Sequence, residues 1–239
     1  MNTDRNNAHA NYDASRPLYF FHVPKTGGTT LQHLLQAHYP PAQTCPAQDE
    51  PGLSAISDDE LRRYKLFMGH FWSLQQRLRQ PLTMITWLRD PVARAVSMYK
   101  HILRDANHRL HELSRREDGF TEMLGHPALK NSQVRHLARM QDDYRAQMSD
   151  EECLALAQQS LQQCLFIGFT EQYSASTRAL FGLLEWRVAA DIPELNTASE
   201  HSAGVEVSEG KRAQLEAANA QDRALYDHAR SRYPLPDNS

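Results

Sequence analysis

Leu18-Tyr19-Phe20-Phe21-His22-Val23-Pro24-Lys25-Thr26-Gly27-Gly28-Thr29-Thr30-Leu31 is the stretch whose reading decides the fold. An apolar run rich in aromatics ends in a Pro, a Lys and two Gly. Leu31, Leu34 and Leu35 then follow at helical spacing. The pattern predicts a strand, a tight turn and a helix. Gly27 and Gly28 have no Cβ in the way when backbone N–H groups turn inward. Thr29 and Thr30 stand where the helix begins, with hydroxyls suited to capping it or bonding an anion. The unpaired N–H groups of a first helical turn carry partial positive charge, and Lys25 adds a full one, so the turn is a seat for phosphate or sulfate. It is not a Walker A loop, in which the Lys follows the last Gly; here Lys25 precedes both.

Working outward, residues 39–56 read as an exposed loop, and Ser57-Asp58-Asp59-Glu60 has the form of a capping box that opens a short helix. Residues 64–68 predict a short strand ending in Gly69-His70-Phe71-Trp72. Residues 82–88 are almost uninterruptedly apolar or β-branched, as in a strand buried on both faces. Pro91 then starts a helix whose inner face is Val92, Ala95, Val96, Tyr99, Ile102 and Leu103. Residues 104–118 are charged and read as a solvated segment, or as a loop that orders around an acceptor. Short helices are expected at 120–124 and 132–140, a helix at 149–163, a strand at 165–169 and a helix at 171–184. Residues 191–206 read as irregular, and 208–233 as one long amphipathic helix.

Strands alternating with helices predict an α/β fold: three layers, with a mostly parallel central sheet flanked by helices. Ligands of such sheets sit beyond the carboxyl ends of the strands, which puts Lys25, His70 and Arg89 on one rim.

The chain has 239 residues and a mass of 27.3 kDa, enough for one sizeable core. Residues 1–16 are polar and read as a flexible N-terminal segment, with 17–239 as a single domain. A formal net charge of −3 argues against nucleic acid as a partner. Cys45, Cys153 and Cys164 have neither disulfide-framework nor zinc spacing, which suggests a reducing compartment. The twelve His show no metal-ligand spacing, so no metal is expected. No signal-peptide core and no apolar run of spanning length is present, and the expected location is cytoplasmic.

Pro24-Lys25-Thr26-Gly27-Gly28-Thr29-Thr30 resembles the 5′-phosphosulfate-binding loop of the sulfotransferases, which use 3′-phosphoadenosine 5′-phosphosulfate (PAPS). The wording His22 to Thr30 is most similar to the carbohydrate branch that includes heparan sulfate 2-O-sulfotransferase. The resemblance implies a P-loop-like nucleotide-binding core in which Lys25, Thr26, Gly27, Gly28, Thr29 and Thr30 hold the 5′ end of PAPS. A second segment, Arg89-Asp90-Pro91-x-x-Arg94-x-x-Ser97-x-Tyr99, resembles the family's 3′-phosphate motif, and so implies that Arg89 and Ser97 hold the 3′-phosphate. Arg's planar fork suits that task. Arg94 and Tyr99 read equally well as a buried ion pair and a core aromatic, and Asp90 as a helix cap. Cys164 to Tyr173, Asn219 to Tyr226, Leu195-Asn196 and Asn131-x-Gln133 also resemble family segments, in the family's order.

The implied chemistry is metal-free, in-line displacement at sulfur onto a hydroxyl of an acceptor, a saccharide or a small metabolite. Lys25 would stabilise departing 3′,5′-ADP. His70, in a Gly-His segment whose His is catalytic in the 2-O branch, would be the general base. His22 reads as core, and His101 as a reserve base. His108, Arg109, His111, Arg115 and Arg116 are candidates to face an anionic acceptor. The rival readings are a P-loop-type nucleotide kinase, which needs a metal, and a non-catalytic module that binds 3′,5′-ADP or PAPS.

Overall fold

The computed structural model describes residues 12–141, 144–187 and 207–235. Among them the apolar runs form four strands, β1 (Leu18–Phe21), β2 (Leu66–Gly69), β3 (Thr83–Leu88) and β4 (Phe166–Phe169). All pair in parallel, in the order β2-β1-β3-β4. The longer helices are α1 (Gly28–Gln36), α2 (Pro91–Arg104), α3 (Ser132–Ala138), α4 (Asp150–Gln163), α5 (Tyr173–Leu183), α6 (Glu209–Ala218) and α7 (Ala220–Arg232).

Strand side chains alternate in direction, and β1 shows what that does here. Leu18 and Phe20 enter an apolar cluster with Leu31 and Leu35 of α1 and Leu180 and Phe181 of α5. Tyr19 and Phe21 enter the opposite one, with Leu137 of α3, Leu161 of α4 and Leu225 of α7. Helices therefore cover both faces, which is why β1 and β3 read as continuous apolar runs. This is the three-layer α/β fold expected from the pattern. The apolar face of α2 packs separately, against Phe120, Met123 and Leu215.

Three expectations need correction. Residues 39–56 are not simply an exposed loop: Thr44 and Asp49 form parallel bridges with Leu66 and His70, Glu50–Ser54 is helical, and Cys45, Ala47 and Leu53 are buried. β2 lies at the end of the sheet, and this segment gives its outer edge backbone partners. Residues 104–118 are not simply a solvated segment: His111 and Ser114 are buried, and His111 Nδ1 lies 2.9 Å from the Ile102 carbonyl oxygen. Residues 208–233 form two helices, broken at Asn219, whose buried side chain donates to the Leu215 carbonyl (2.8 Å) and accepts the Asn131 N–H (2.9 Å). An Asn side chain that takes up backbone groups competes with helical bonding at its own position.

Ser57 accepts the Glu60 N–H at 3.3 Å, and Ser149 with Glu152 forms a complete capping box on α4. The three cysteines are free and buried. No helix among the described residues is long and apolar enough to cross a membrane. Residues 191–206, including Leu195-Asn196, and most of 1–16 lie outside the described residues.

The break at Asn219 turns α7 so that Asp222 reaches the start of α3. Its Oδ1 accepts the Val134 N–H at 2.8 Å and its Oδ2 the Gln133 N–H at 3.1 Å, satisfying donors that a helix leaves unpaired in its first turn. Arg94 lies beside it, Nε to Oδ2 3.9 Å, with both side chains 0% exposed. Arg94 Nη2 donates to the Leu129 carbonyl at 2.9 Å. Arg94 thus takes the structural reading, as does Tyr99, buried edge-on to Phe120 at 5.1 Å. Removing one member of a buried pair leaves a stranded charge. Asp222→Ala should therefore cost about 3–5 kcal/mol in urea unfolding; a loss under about 1 kcal/mol would show that α3 and α7 are held by other means.

Candidate active site

All four strands release the chain at one rim: β1 into His22, β2 into His70, β3 into Arg89 and β4 into Thr170. β1 sits between β2 and β3, so the chain crosses to one side of β1 and then to the other. That reversal opens a crevice between the ends of β1 and β3, where open parallel sheets bind ligands. The loop carrying Lys25 borders it on one side and Arg89 on the other.

The loop conformation follows from Lys25 and Gly27, both left-handed at φ 72° and 86°. Three consecutive carbonyls are tied from outside. Lys25 O accepts from Arg89 Nη1 (3.4 Å), Thr26 O from Thr170 Oγ1 (2.8 Å) and Gly27 O from the Tyr173 hydroxyl (3.3 Å). Thr26 is fully buried and its own hydroxyl donates to the Val23 carbonyl at 2.8 Å. Peptide units with their carbonyls held outward present their N–H groups to the concave side, the arrangement of an anion nest.

Helix α1 has Gly27 at its N-cap, and no side chain caps it. Thr29 and Thr30 therefore do not cap the helix, a correction to the sequence reading: both already lie within its first turn. Thr29 is exposed, while Thr30 is buried and bonds the Tyr173 hydroxyl. A Cβ on Gly28 would lie 1.9 Å from His22 Nε2, so only glycine fits between that ring and the loop.

Cations converge on this loop. Burial, together with Arg104 and Arg89, pushes the half-buried Lys25 ammonium below its ordinary pKa, and Lys25 in turn helps lower that of His101. Ser97, His101 and Arg104 follow at i, i+4 and i+7 on α2, so they share one flank of that helix. The half-buried Ser97 thus lies two turns beyond Arg89 on the flank that Lys25 faces. An anion bound there would relieve the repulsion among these cations.

The Arg89 backbone is clamped by Gln133, whose Oε1 accepts the Arg89 N–H (3.0 Å) and whose Nε2 donates to the Arg89 carbonyl (2.8 Å). Asp90 caps α2 by accepting the Ala93 N–H at 2.9 Å, and pairs with Arg223 at 2.6 Å. The Asp90 N–H donates to Glu171 Oε1 and the Tyr226 hydroxyl to Glu171 Oε2, each at 2.8 Å. Segments that stood apart in the sequence, 131–133, 171–173 and 219–226, therefore meet around Arg89 and the loop.

Three histidines pack together beside the crevice. The rings of His22 and His70 stack at 4.6 Å, and His136 meets His70 edge-on at 5.8 Å. Burial pushes the pKa of His22 and of His136 down to about 3. That of His70 is also lowered by burial, partly offset by its bond to the His22 carbonyl. His70 Nδ1 lies 2.5 Å from this carbonyl oxygen, which can only accept. Nδ1 therefore carries the proton, and Nε2 keeps the lone pair that a base needs.

A family model described as "Sulfotransferase family" matches residues 8–229. The chain belongs to the sulfotransferase family. A crystal structure of a sulfotransferase from Alicyclobacillus acidocaldarius shares the fold, with a TM-score of 0.53 at 18% identity over 91% of this chain and 96% of that one. No curated protein matches.

Of the site residues expected for a sulfotransferase, the structure brings Lys25, Thr26, Gly27, Gly28 and Arg89 to one crevice, with His70 beside it and Ser97 along its flank. Sequence pattern alone gives Thr170, Gln133 and Glu171 no site role and puts Tyr173 on the apolar side of its helix. Their only signal was a polar residue at a motif position beside an apolar strand or helix. His111, a candidate to face an anionic acceptor, is buried with its Nδ1 on the Ile102 carbonyl.

The contact between Gly28 and His22 is open to a double-mutant cycle. Gly28→Ala should cost about 1–3 kcal/mol in urea unfolding, as overpacking does, and that cost should vanish in a His22→Ala background. Additive effects would mean that the ring does not confine the loop.

Proposed function

We propose that this protein transfers the sulfuryl group of PAPS to a hydroxyl of a saccharide or small metabolite, with residues 17–239 acting as one catalytic unit. The observation that carries this reading is the left-handed loop, its three carbonyls held outward, facing Arg89 across the crevice between β1 and β3. The likeness to the carbohydrate branch that includes heparan sulfate 2-O-sulfotransferase rests on His22 to Thr30 and on Gly69-His70, and it favours a saccharide acceptor. Three buried free cysteines fit a reducing compartment such as the cytoplasm.

PAPS supplies a sulfuryl group and leaves as 3′,5′-ADP. The backbone N–H groups of Thr26 to Thr30 bind its 5′ end, with α1 pointing its positive end there. Arg89 and Ser97 bind the 3′-phosphate. Lys25 donates to the oxygen on which negative charge builds as the bond to sulfur breaks. His70 Nε2 takes the acceptor's proton, and the His22 carbonyl steadies the imidazolium by accepting from Nδ1.

Transfer of ³⁵S from PAPS to a saccharide panel tests this directly. Lys25→Ala should lower kcat by about 10²–10³-fold, and EDTA should leave the wild-type rate unchanged. Near-normal turnover in the variant would remove Lys25 from the chemistry, and loss of activity in EDTA would favour the kinase reading.

The base assignment has its own signature. His70 works unprotonated, and its pKa lies below the ordinary 6.5. kcat/KM should therefore hold as pH falls to about 6.5, then decline at lower pH as His70 takes up a proton. His70→Gln should lower kcat by about 10²–10⁴-fold and abolish that limb. An acid limb unchanged in the variant would assign the base elsewhere.

A further inference from the structure

Trp72 is the one large apolar side chain exposed among the described residues, at 40%. It follows His70 by two residues, with Phe71 between them fully buried. Across from them stands the end of α3. His136 and the residue that closes that helix, Arg139, are three apart and share a face. That face sets His136 against His70, ring centroids 5.8 Å apart, and the Arg139 guanidinium over Trp72, 4.9 Å from its ring centroid. Tyr144 flanks the same guanidinium at 5.7 Å. Among the described residues no carboxylate lies within ion-pair distance of Arg139. The buried Arg94 and the half-exposed Arg223 both have one.

A guanidinium held by two aromatic rings keeps its in-plane N–H donors available, and has lost much of the freedom that binding would otherwise cost. Trp72, over whose ring it lies, is two residues from the candidate base His70 in the chain. We propose that Arg139, held by Trp72 and Tyr144, is an acceptor subsite that takes an oxyanion group of the acceptor (carboxylate, sulfate or phosphate) and so turns a neighbouring hydroxyl toward His70. Arg139 thereby determines specificity: it selects charged acceptors over neutral ones of the same shape. The assignment rests on the sulfotransferase reading of His70 but uses residues outside the nucleotide crevice.

The test compares ring-matched probes. Binding of p-nitrophenyl β-glucuronide, p-nitrophenyl β-glucoside 6-sulfate, p-nitrophenyl β-glucoside 6-phosphate and p-nitrophenyl β-glucoside is measured by calorimetry with 3′,5′-ADP present, for wild type, Arg139→Gln and Arg139→Lys. At least one charged probe should bind wild type about 10–100-fold more tightly than the neutral glucoside, the range of a charge-assisted bond. Which charged probe binds best identifies the oxyanion. The preference should vanish in Arg139→Gln and return in part in Arg139→Lys, and 3′,5′-ADP affinity should stay within about twofold in all three proteins. Equal binding of charged and neutral probes, no binding of any charged probe, or a preference that survives Arg139→Gln would overturn the proposal. Failure of wild type to bind 3′,5′-ADP would instead strike at the sulfotransferase chemistry, and the charge preference would still be read from the protein without nucleotide.

Discussion

The arrangement depends on the hydrogen bonds that hold three successive carbonyls of the loop after β1 from outside. Each tether comes from a different place: Arg89 from the end of β3, Thr170 from the end of β4, Tyr173 from the start of α5. A loop with this many exposed N–H groups on one side would otherwise relax until donors and acceptors found each other. Tethering the acceptors elsewhere keeps the donors available, and two left-handed residues supply the curvature. The tie from Arg89 also means that the two candidate anion seats are built against one another and border one crevice.

Around this centre the fold uses buried polar groups where an apolar core would have been simpler. Gln133 clamps Arg89, Asp222 holds the start of the Gln133 helix, and the Asn219 side chain accepts the Asn131 N–H across 88 residues of sequence. Burying such groups is favourable only when each finds a partner. Their satisfied bonds fix where β3 hands over to α2, and so fix Arg89. The sheet supplies a rim; this network sets the positions along it.

How much was legible in the sequence divides along the same line. β1, β3 and α2 announce themselves by local pattern, since burial on both faces makes a continuous apolar run and Pro91 suits the first turn of a helix. The rim placement of Lys25 and Arg89 follows from those two strands, and that of His70 from the shorter run of β2. The break at Asn219 was hidden, because Ala218 and Ala220 are strong helix formers and the partner that decides the matter, Asn131, is remote. Thr29 and Thr30 look like caps from composition, but Gly27 already occupies the N-cap position, two residues before Thr29. Residues 39–56 read as an exposed loop because nothing local reveals that β2 needs an outer neighbour. Likewise, Arg139 and Trp72 carry no pattern of their own, and only the packing of α3 beside His70 brings them together.

The central claim is that one ligand spans both anion seats, and paired calorimetric titrations with 3′,5′-ADP and 5′-AMP test it most directly. The account predicts a single site that holds 3′,5′-ADP about 10–100-fold more tightly than 5′-AMP, the share of the Arg89 seat. Equal affinities, or no heat with 3′,5′-ADP, would contradict it.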